Sequence, residues 1–235
     1  MDIDRFEPAL HEVFDEFPVS EHPNGRRFTR ILDEVPGLAR ENNLALLNLA
    51  ASMLDPEECY VEVGTYRGTS LIGAMVGNDD AEYVAIDNFS MGKATRRELE
   101  QNLKHFALEQ PTILEGDAFE LVPGGALGER RVGVYYYDNG HEYEQQLDGL
   151  RMIEPWLADK ALLIVDDTDW EQVARATRDY VELQPKARLL VWIPGKDNGF
   201  PAWWEGMQVL AWDADADVAP TVAEVAAVVE LGAKI

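Results

Sequence analysis

From Leu44 onward the hydrophobic positions fall into two alternating periods. Leu46, Leu47, Leu49, Ala50 and Leu54 recur at helical spacing, and Asp55-Pro56 ends that helix. Short, nearly continuous apolar runs at 59–63, 83–86, 112–114, 132–137 and 161–165 then predict five strands. Between them lie predicted helices. One covers 69–76. A second opens at the capping box Thr95-Arg-Arg-Glu98 and carries Leu99, Leu103 and Phe106. A third covers 142–157, with Leu147, Leu150, Ile153 and Leu157 on one side. The fourth opens at a second capping box, Thr168-Asp-Trp-Glu171, and buries Trp170, Val173, Ala174, Thr177 and Val181. Runs at 188–193 and 207–212 close the pattern as a strand pair around a loop rich in Gly, Pro and Trp.

Strands that are apolar along their length are buried on both faces, so five strand–helix alternations predict a parallel sheet covered by helices on each side. A closing strand pair joined by a loop adds an antiparallel strand. The expected fold is α/β, a Rossmann-like doubly wound sheet of seven strands with the last antiparallel. Residues 1–42 are polar and broken by Pro18, Pro23, Asn24-Gly25 and Pro36-Gly37, which predicts a helical N-terminal extension or lid on a main domain at 43–235.

Composition narrows the function classes. The formal charge of −24 argues against a protein that grips nucleic-acid backbones. A single cysteine, Cys59, excludes an internal disulfide and a multi-cysteine zinc site. No run is apolar enough for a membrane span and the first residues lack a signal-peptide pattern, so the cytoplasm is the expected compartment.

The first strand–helix turn holds the most informative motif. Val61-Glu-Val-Gly-Thr-Tyr-Arg-Gly-Thr-Ser70 places Gly64 and Gly68 around Thr65-Tyr66-Arg67. Glycines there allow positive φ and close backbone approach to a ligand, and the helix N-terminus beyond them favours a carboxylate or a phosphate. A dinucleotide site wants three glycines, and Thr65-Tyr66 replaces the second. Glu62 at the strand end suits a cationic amine better than a pyrophosphate. Asp87 ends the second strand, twenty-three residues past Gly64, where an acid accepts hydrogen bonds from ribose hydroxyls. The third strand runs into Gly116-Asp117-Ala118, placing an acid that can meet an adenine amine.

Together with Ala-Ile-Asp87, Glu-Gly-Asp117-Ala and Tyr-Asp138-Asn-Gly-His141-Glu-Tyr, this motif resembles the class I S-adenosylmethionine-dependent methyltransferases. The likeness is to the metal-assisted small-molecule O-methyltransferases of the catechol and antibiotic-sugar type, over roughly residues 40–212. It implies that Glu62 and Gly64 contact the cofactor's amino group, with Thr65 and Gly68 in the same loop and Ser70 near the carboxylate. Asp87 would hold the ribose, Asn88 and Phe89 border the nucleoside, and Gly116, Asp117 and Ala118 flank the adenine. Asp138 also borders the cofactor.

Asp138 ends the fourth strand and Asp166-Asp167 the fifth, so three carboxylates converge near the reacting methyl. An oxygen-rich site suits Mg2+ or Ca2+, and a divalent ion lowers the pKa of an acceptor hydroxyl. Asp138, Asp166 and Asp167 are the expected ligands; the competing reading has Asp166 or Asp167 cap the next helix. His141 is the candidate general base, with Asp138 beside it, and a cap role fits it equally. Phe200, Trp203 and Trp204 line an acceptor pocket, or else pack the hairpin or an interface between copies of the chain; the N-terminal segment is the other candidate lid. The expected acceptor is a small molecule. An NAD(P)-dependent oxidoreductase and a non-catalytic nucleotide-binding protein are the alternatives.

Overall fold

The computed structural model describes residues 1–92 and 94–216; the end of the expected 43–235 domain, 217–235, lies outside the described residues. All seven expected strands form: β1 (Glu58–Val63), β2 (Glu82–Asp87), β3 (Thr112–Glu115), β4 (Arg131–Tyr137), β5 (Leu157–Asp166), β6 (Ala187–Ile193) and β7 (Met207–Asp213). They make one sheet in the order β3-β2-β1-β4-β5-β7-β6. Pairing is parallel from β3 to β5, while β7 runs antiparallel between β5 and β6. This is the doubly wound sheet with an antiparallel last strand.

Strand residues alternate between the two faces. Tyr60, Val134, Tyr136, Leu162 and Ile164 belong to one core, beneath α1 (Phe6–Val13), α2 (Thr29–Glu34), α3 (Glu41–Ser52), α4 (Thr69–Met75) and α5 (Arg96–His105). Val61, Val63, Tyr135, Leu163 and Val165 belong to the other, covered by α6 (Ala118–Leu121), α7 (Tyr143–Met152) and α8 (Glu171–Leu183). The N-terminal helices bury Phe6, Leu10, Phe14 and Ile31 in the first core, and the 42/43 boundary falls in the first turn of α3. Among the described residues no helix is long and apolar enough to cross a membrane.

Local chemistry explains where the elements begin and end. Thr95 caps α5 as its box predicts, its Oγ1 accepting from the Glu98 amide at 3.2 Å. Two expectations need correction. The helix expected over 142–157 stops at Met152, because Pro155 lacks the amide to continue it; a single 3-10 turn follows and Leu157 starts β5. The Thr168 box does not form either. Helix α8 starts at Glu171, Thr168 Oγ1 has no partner, and Trp170 is 41 % exposed rather than core. The β6–β7 loop takes this segment instead: the Asp169 amide donates to the Glu205 carbonyl at 2.7 Å, and Asp169 Oδ1 accepts from the Gly195 amide at 2.8 Å.

Candidate active site

The connections leave the sheet in opposite directions on either side of β1 and β4, so a crevice opens beyond their carboxyl ends. A cleft of about 230 Å³ lies there. Gly64 forms its floor at φ +93°, where a Cβ would stand 1.7 Å from the Asp138 carbonyl oxygen. Only glycine lets the ends of β1 and β4 come so close. Gly68 caps α4 in the left-handed region, φ +89°. Between them Thr65 lines the cleft, is 2 % exposed, and has no hydrogen-bond partner for its Oγ1. A buried hydroxyl left unpaired beside a cleft is a place for a polar ligand.

Ser70, on the first turn of α4, also lines the cleft and donates to Glu62 Oε1 at 2.7 Å. Glu62 lies one layer deeper, wholly buried, with Tyr60 Oη donating to its Oε2 at 2.9 Å. Burial pushes its carboxyl up to about 7, against the two hydroxyl donors that favour the anion. Glu62 therefore stands behind Ser70 rather than on the cleft wall.

Asp87, half-buried at the end of β2, lines the same wall. Its carboxylate accepts from the Tyr66 amide at 2.6 Å and the Phe89 amide at 2.5 Å. Asn88 lines the cleft, whereas Phe89 packs against the core. Gly116, Asp117 and Ala118 stand off the cleft: Gly116 bonds back to the Asp87 carbonyl, Asp117 caps α6 through the Phe119 amide at 2.9 Å, and Ala118 is buried.

The opposite wall is acidic. One ligand atom each from Asp138, His141 and Asp167 lies within 4.8 Å of the others. His141 Nε2 is 3.1 Å from Asp167 Oδ2. Asp166 lines the cleft but turns away from this trio, accepting from Tyr136 Oη at 2.6 Å. Burial raises all three carboxyls. Asp138 is pushed well up, with Asp166 and Asp167 adding repulsion; Asp166 reaches about 8; Asp167 rises less freely because His141 opposes the shift. Asp166 Oδ1 and Asp167 Oδ1 are buried with no partner. Carboxylate oxygens plus one imidazole, crowded and incompletely bonded, fit a divalent cation.

Gly37, Leu38 and Ala39 from the N-terminal extension and Trp204 from the β6–β7 loop close the remaining side. The two candidate lids thus frame one cleft. Trp203 is fully buried: its Nε1 donates to the Pro18 carbonyl at 2.7 Å and its ring packs on Phe14 and Phe17. Sequence patterning passed over Tyr136 and Met91 as cleft residues. Tyr136 had a usable signal, since it lies two positions before Asp138 and so on the same side of β4. Met91, in an irregular loop, had none.

The strand order β3-β2-β1-β4-β5-β7-β6 with an antiparallel β7 is that of the class I methyltransferase fold. A family model described as a methyltransferase domain matches residues 61–168, which spans β1 to the acidic end of β5. Solved structures share the fold at low identity. The O-methyltransferase of Bacillus cereus, solved with SAH, is 13% identical with a TM-score of 0.59, covering 88% of this chain and 99% of its own. The O-methyltransferase TomG of Streptomyces achromogenes, involved in tomaymycin synthesis and solved with SAM, is 16% identical with a TM-score of 0.57, covering 91% and 99%. A methyltransferase of Geobacter sulfurreducens is 18% identical with a TM-score of 0.55, covering 90% and 97%. No curated protein sequence matches this chain. Residues 61–168 thus match a methyltransferase domain, and the sheet that contains them has the methyltransferase fold.

Proposed function

We propose that this protein moves the methyl group of S-adenosylmethionine onto a hydroxyl of a small molecule, with Mg2+ or Ca2+ held by Asp138, His141 and Asp167. The observation that carries the reading is one cleft with two unlike walls. Thr65, Ser70 and Asp87 on one side suit a zwitterionic nucleoside, and the Asp138–His141–Asp167 trio faces them. The net charge of −24 favours a small acceptor over a nucleic acid.

Each residue has a physical task. The Gly64 turn brings backbone within reach of the donor, and Thr65 Oγ1 offers it an unspent hydrogen bond. Glu62 sets negative charge beneath Ser70 for the donor's ammonium, and Asp87 faces its ribose. Asp138, His141 and Asp167 would hold the divalent ion at the point where the acceptor hydroxyl must ionise. When bound, a divalent ion lowers that hydroxyl's pKa and fixes its direction. The in-line displacement on the sulfonium carbon depends on such alignment.

A second reading rests on the 3.1 Å contact of His141 Nε2 with Asp167 Oδ2. The carboxylate then orients the ring, and His141 Nδ1 takes the acceptor's proton without an ion. Titration calorimetry with S-adenosylhomocysteine tests the donor half; no heat at about 100 µM ligand would sink it. Methyl transfer to hydroxylated acceptors, assayed with Mg2+ and after chelation, separates the two readings. Loss on chelation supports the ion, and unchanged turnover supports the histidine base.

A further inference from the structure

The turn out of β5 is more tightly held than a strand–helix connection requires. Pairing between β5 and β7 is regular up to Asp166 opposite Met207. Beyond it the Thr168 amide donates to the Gly206 carbonyl at 3.4 Å and the Asp169 amide to the Glu205 carbonyl at 2.7 Å, one residue out of step. Asp167 is the extra residue, and its φ of +56° lies in the left-handed region that few side chains tolerate. An inserted residue of this kind re-aims its side chain, as bulges beside active sites do. Here it presents Asp167 to the cleft, where the carboxylate joins Asp138 and His141. Such a conformation persists only where the surroundings impose it.

Asp169 supplies that constraint. Its Oδ1 accepts from the Gly195 amide at 2.8 Å and from Asn198 Nδ2 at 2.8 Å, and its Oδ2 accepts from the Asp197 amide at 3.2 Å. The side chain thus grips the β6 arm of the β6–β7 loop, while the Asp169 amide grips the β7 arm at Glu205. The two arms are pressed together at their base, where a Cβ on Gly195 would stand 2.2 Å from the Gly206 amide nitrogen. Farther along, the Lys196 amide crosses to the Trp204 carbonyl at 2.7 Å. Trp204 lines the cleft from this loop, also with a left-handed backbone, φ +51°. One carboxylate, bonded to three donors, therefore holds two strained residues that face the same cleft from different loops.

We propose that Asp169 is a positioning residue of the site. It acts through Asp167 and Trp204, locking the aim of the first to the seat of the second. The acidic wall and the indole wall then tighten or loosen as one body. This rests on the divalent-ion reading of the cleft and adds a coupling to it. An ion that orders Asp167 also steadies the β6–β7 loop, and by reciprocity a loop held by Asp169 strengthens the ion's site by the same factor.

The test titrates Mg2+ alone into the full chain at pH 8 by calorimetry and follows hydrogen exchange at the Gly195 and Asp197 amides with and without the ion. In the wild type Mg2+ should slow exchange at both amides. Asp169→Ala should speed that exchange about tenfold, the loss of charge-assisted bonds, and abolish its response to Mg2+. It should also weaken Mg2+ binding about tenfold. Affinity for S-adenosylhomocysteine should stay at the wild-type value, which also shows that the variant is folded. Asp169→Asn keeps an acceptor for Gly195 and should recover most of the Mg2+ affinity. Wild-type Mg2+ affinity in Asp169→Ala overturns the proposal. So does wild-type exchange that ignores bound Mg2+, or an equal fall in affinity for Mg2+ and S-adenosylhomocysteine. A wild type that binds no Mg2+ is a distinct result, which overturns the ion reading and this coupling with it.

Discussion

Glu62→Gln is the substitution whose consequences the structure sets most fully. The carboxyl is wholly buried, accepts from Tyr60 Oη and Ser70 Oγ, and is pushed by burial from 4.5 up to about 7. A raised folded pKa means that the folded chain holds this proton more tightly than the unfolded chain does. The associated stability is fully present below the unfolded value, is lost as pH climbs from 4.5 toward about 7, and is absent above it. At about 1.4 kcal/mol per pH unit, that gap corresponds to about 3 kcal/mol. For a domain of this size the change in melting temperature is about 6–12 °C.

Glutamine has the same shape and no proton to lose. Rearranged hydrogen bonds to Tyr60 and Ser70 add an offset that does not vary with pH. Melting curves of ligand-free wild type and Glu62→Gln, taken from pH 5 to 8.5, therefore read the titration of Glu62 together with the repulsion that its charge adds at Asp138 and Asp166. The variant should gain about 6–12 °C on the wild type between the two ends. At pH 8 it should bind S-adenosylhomocysteine about tenfold more weakly, having lost the charge beneath Ser70. Parallel melting profiles across the pH range would refute the buried-carboxylate argument, and unaltered ligand affinity would refute its role at the cleft.

Four further substitutions probe the site and its support. Gly64→Ala should destabilise the protein by more than about 3 kcal/mol in urea unfolding, because its Cβ meets the Asp138 backbone oxygen at 1.7 Å; wild-type stability would contradict that approach. Mg2+ at pH 8 should raise the wild-type melting temperature, and Asp138→Asn or Asp167→Asn should abolish that rise; a surviving rise in both would remove the trio as the ion's site. Trp203→Ala should cost about 3–5 kcal/mol, since the side chain is fully buried against Phe14 and Phe17; a loss under about 1 kcal/mol would show that the N-terminal segment is anchored elsewhere.

The sheet was legible because its strands are buried on both faces, which leaves continuous apolar runs whose ends carry the acids. Asp87, Asp138 and Asp166-Asp167 could be placed at the cleft from position alone. Which carboxylate faces the trio could not. That choice depends on the pairing of β4 with β5, which sets Tyr136 beside Ile164 and brings the phenol to Asp166 Oδ2. It depends also on the left-handed backbone of Asp167, φ +56°, at the turn out of β5. A side-chain hydrogen bond across strands and one unusual dihedral leave no periodic trace. The same turn explains the failed capping box at Thr168, where the quartet has the right residues but the β6–β7 loop holds its backbone.

Trp203 and Trp204 carry this limit further. As neighbours in one aromatic loop they look interchangeable, and packing and ligand roles fit either. The 3-10 turn Pro201–Trp203 carries the first indole into the core, and the positive φ at Trp204 turns the second toward the cleft. Through the bond from Trp203 to Pro18, spanning 185 positions, the N-terminal segment and the β6–β7 loop are tied together. Arg40 follows that segment and stacks on Trp204. The mouth of the cleft at Trp204 therefore depends on contacts between segments 185 positions apart, whereas the Gly64 wall arises from one strand–turn–helix. That asymmetry is why the Gly64 turn could be read from a local motif and the mouth of the cleft required the fold.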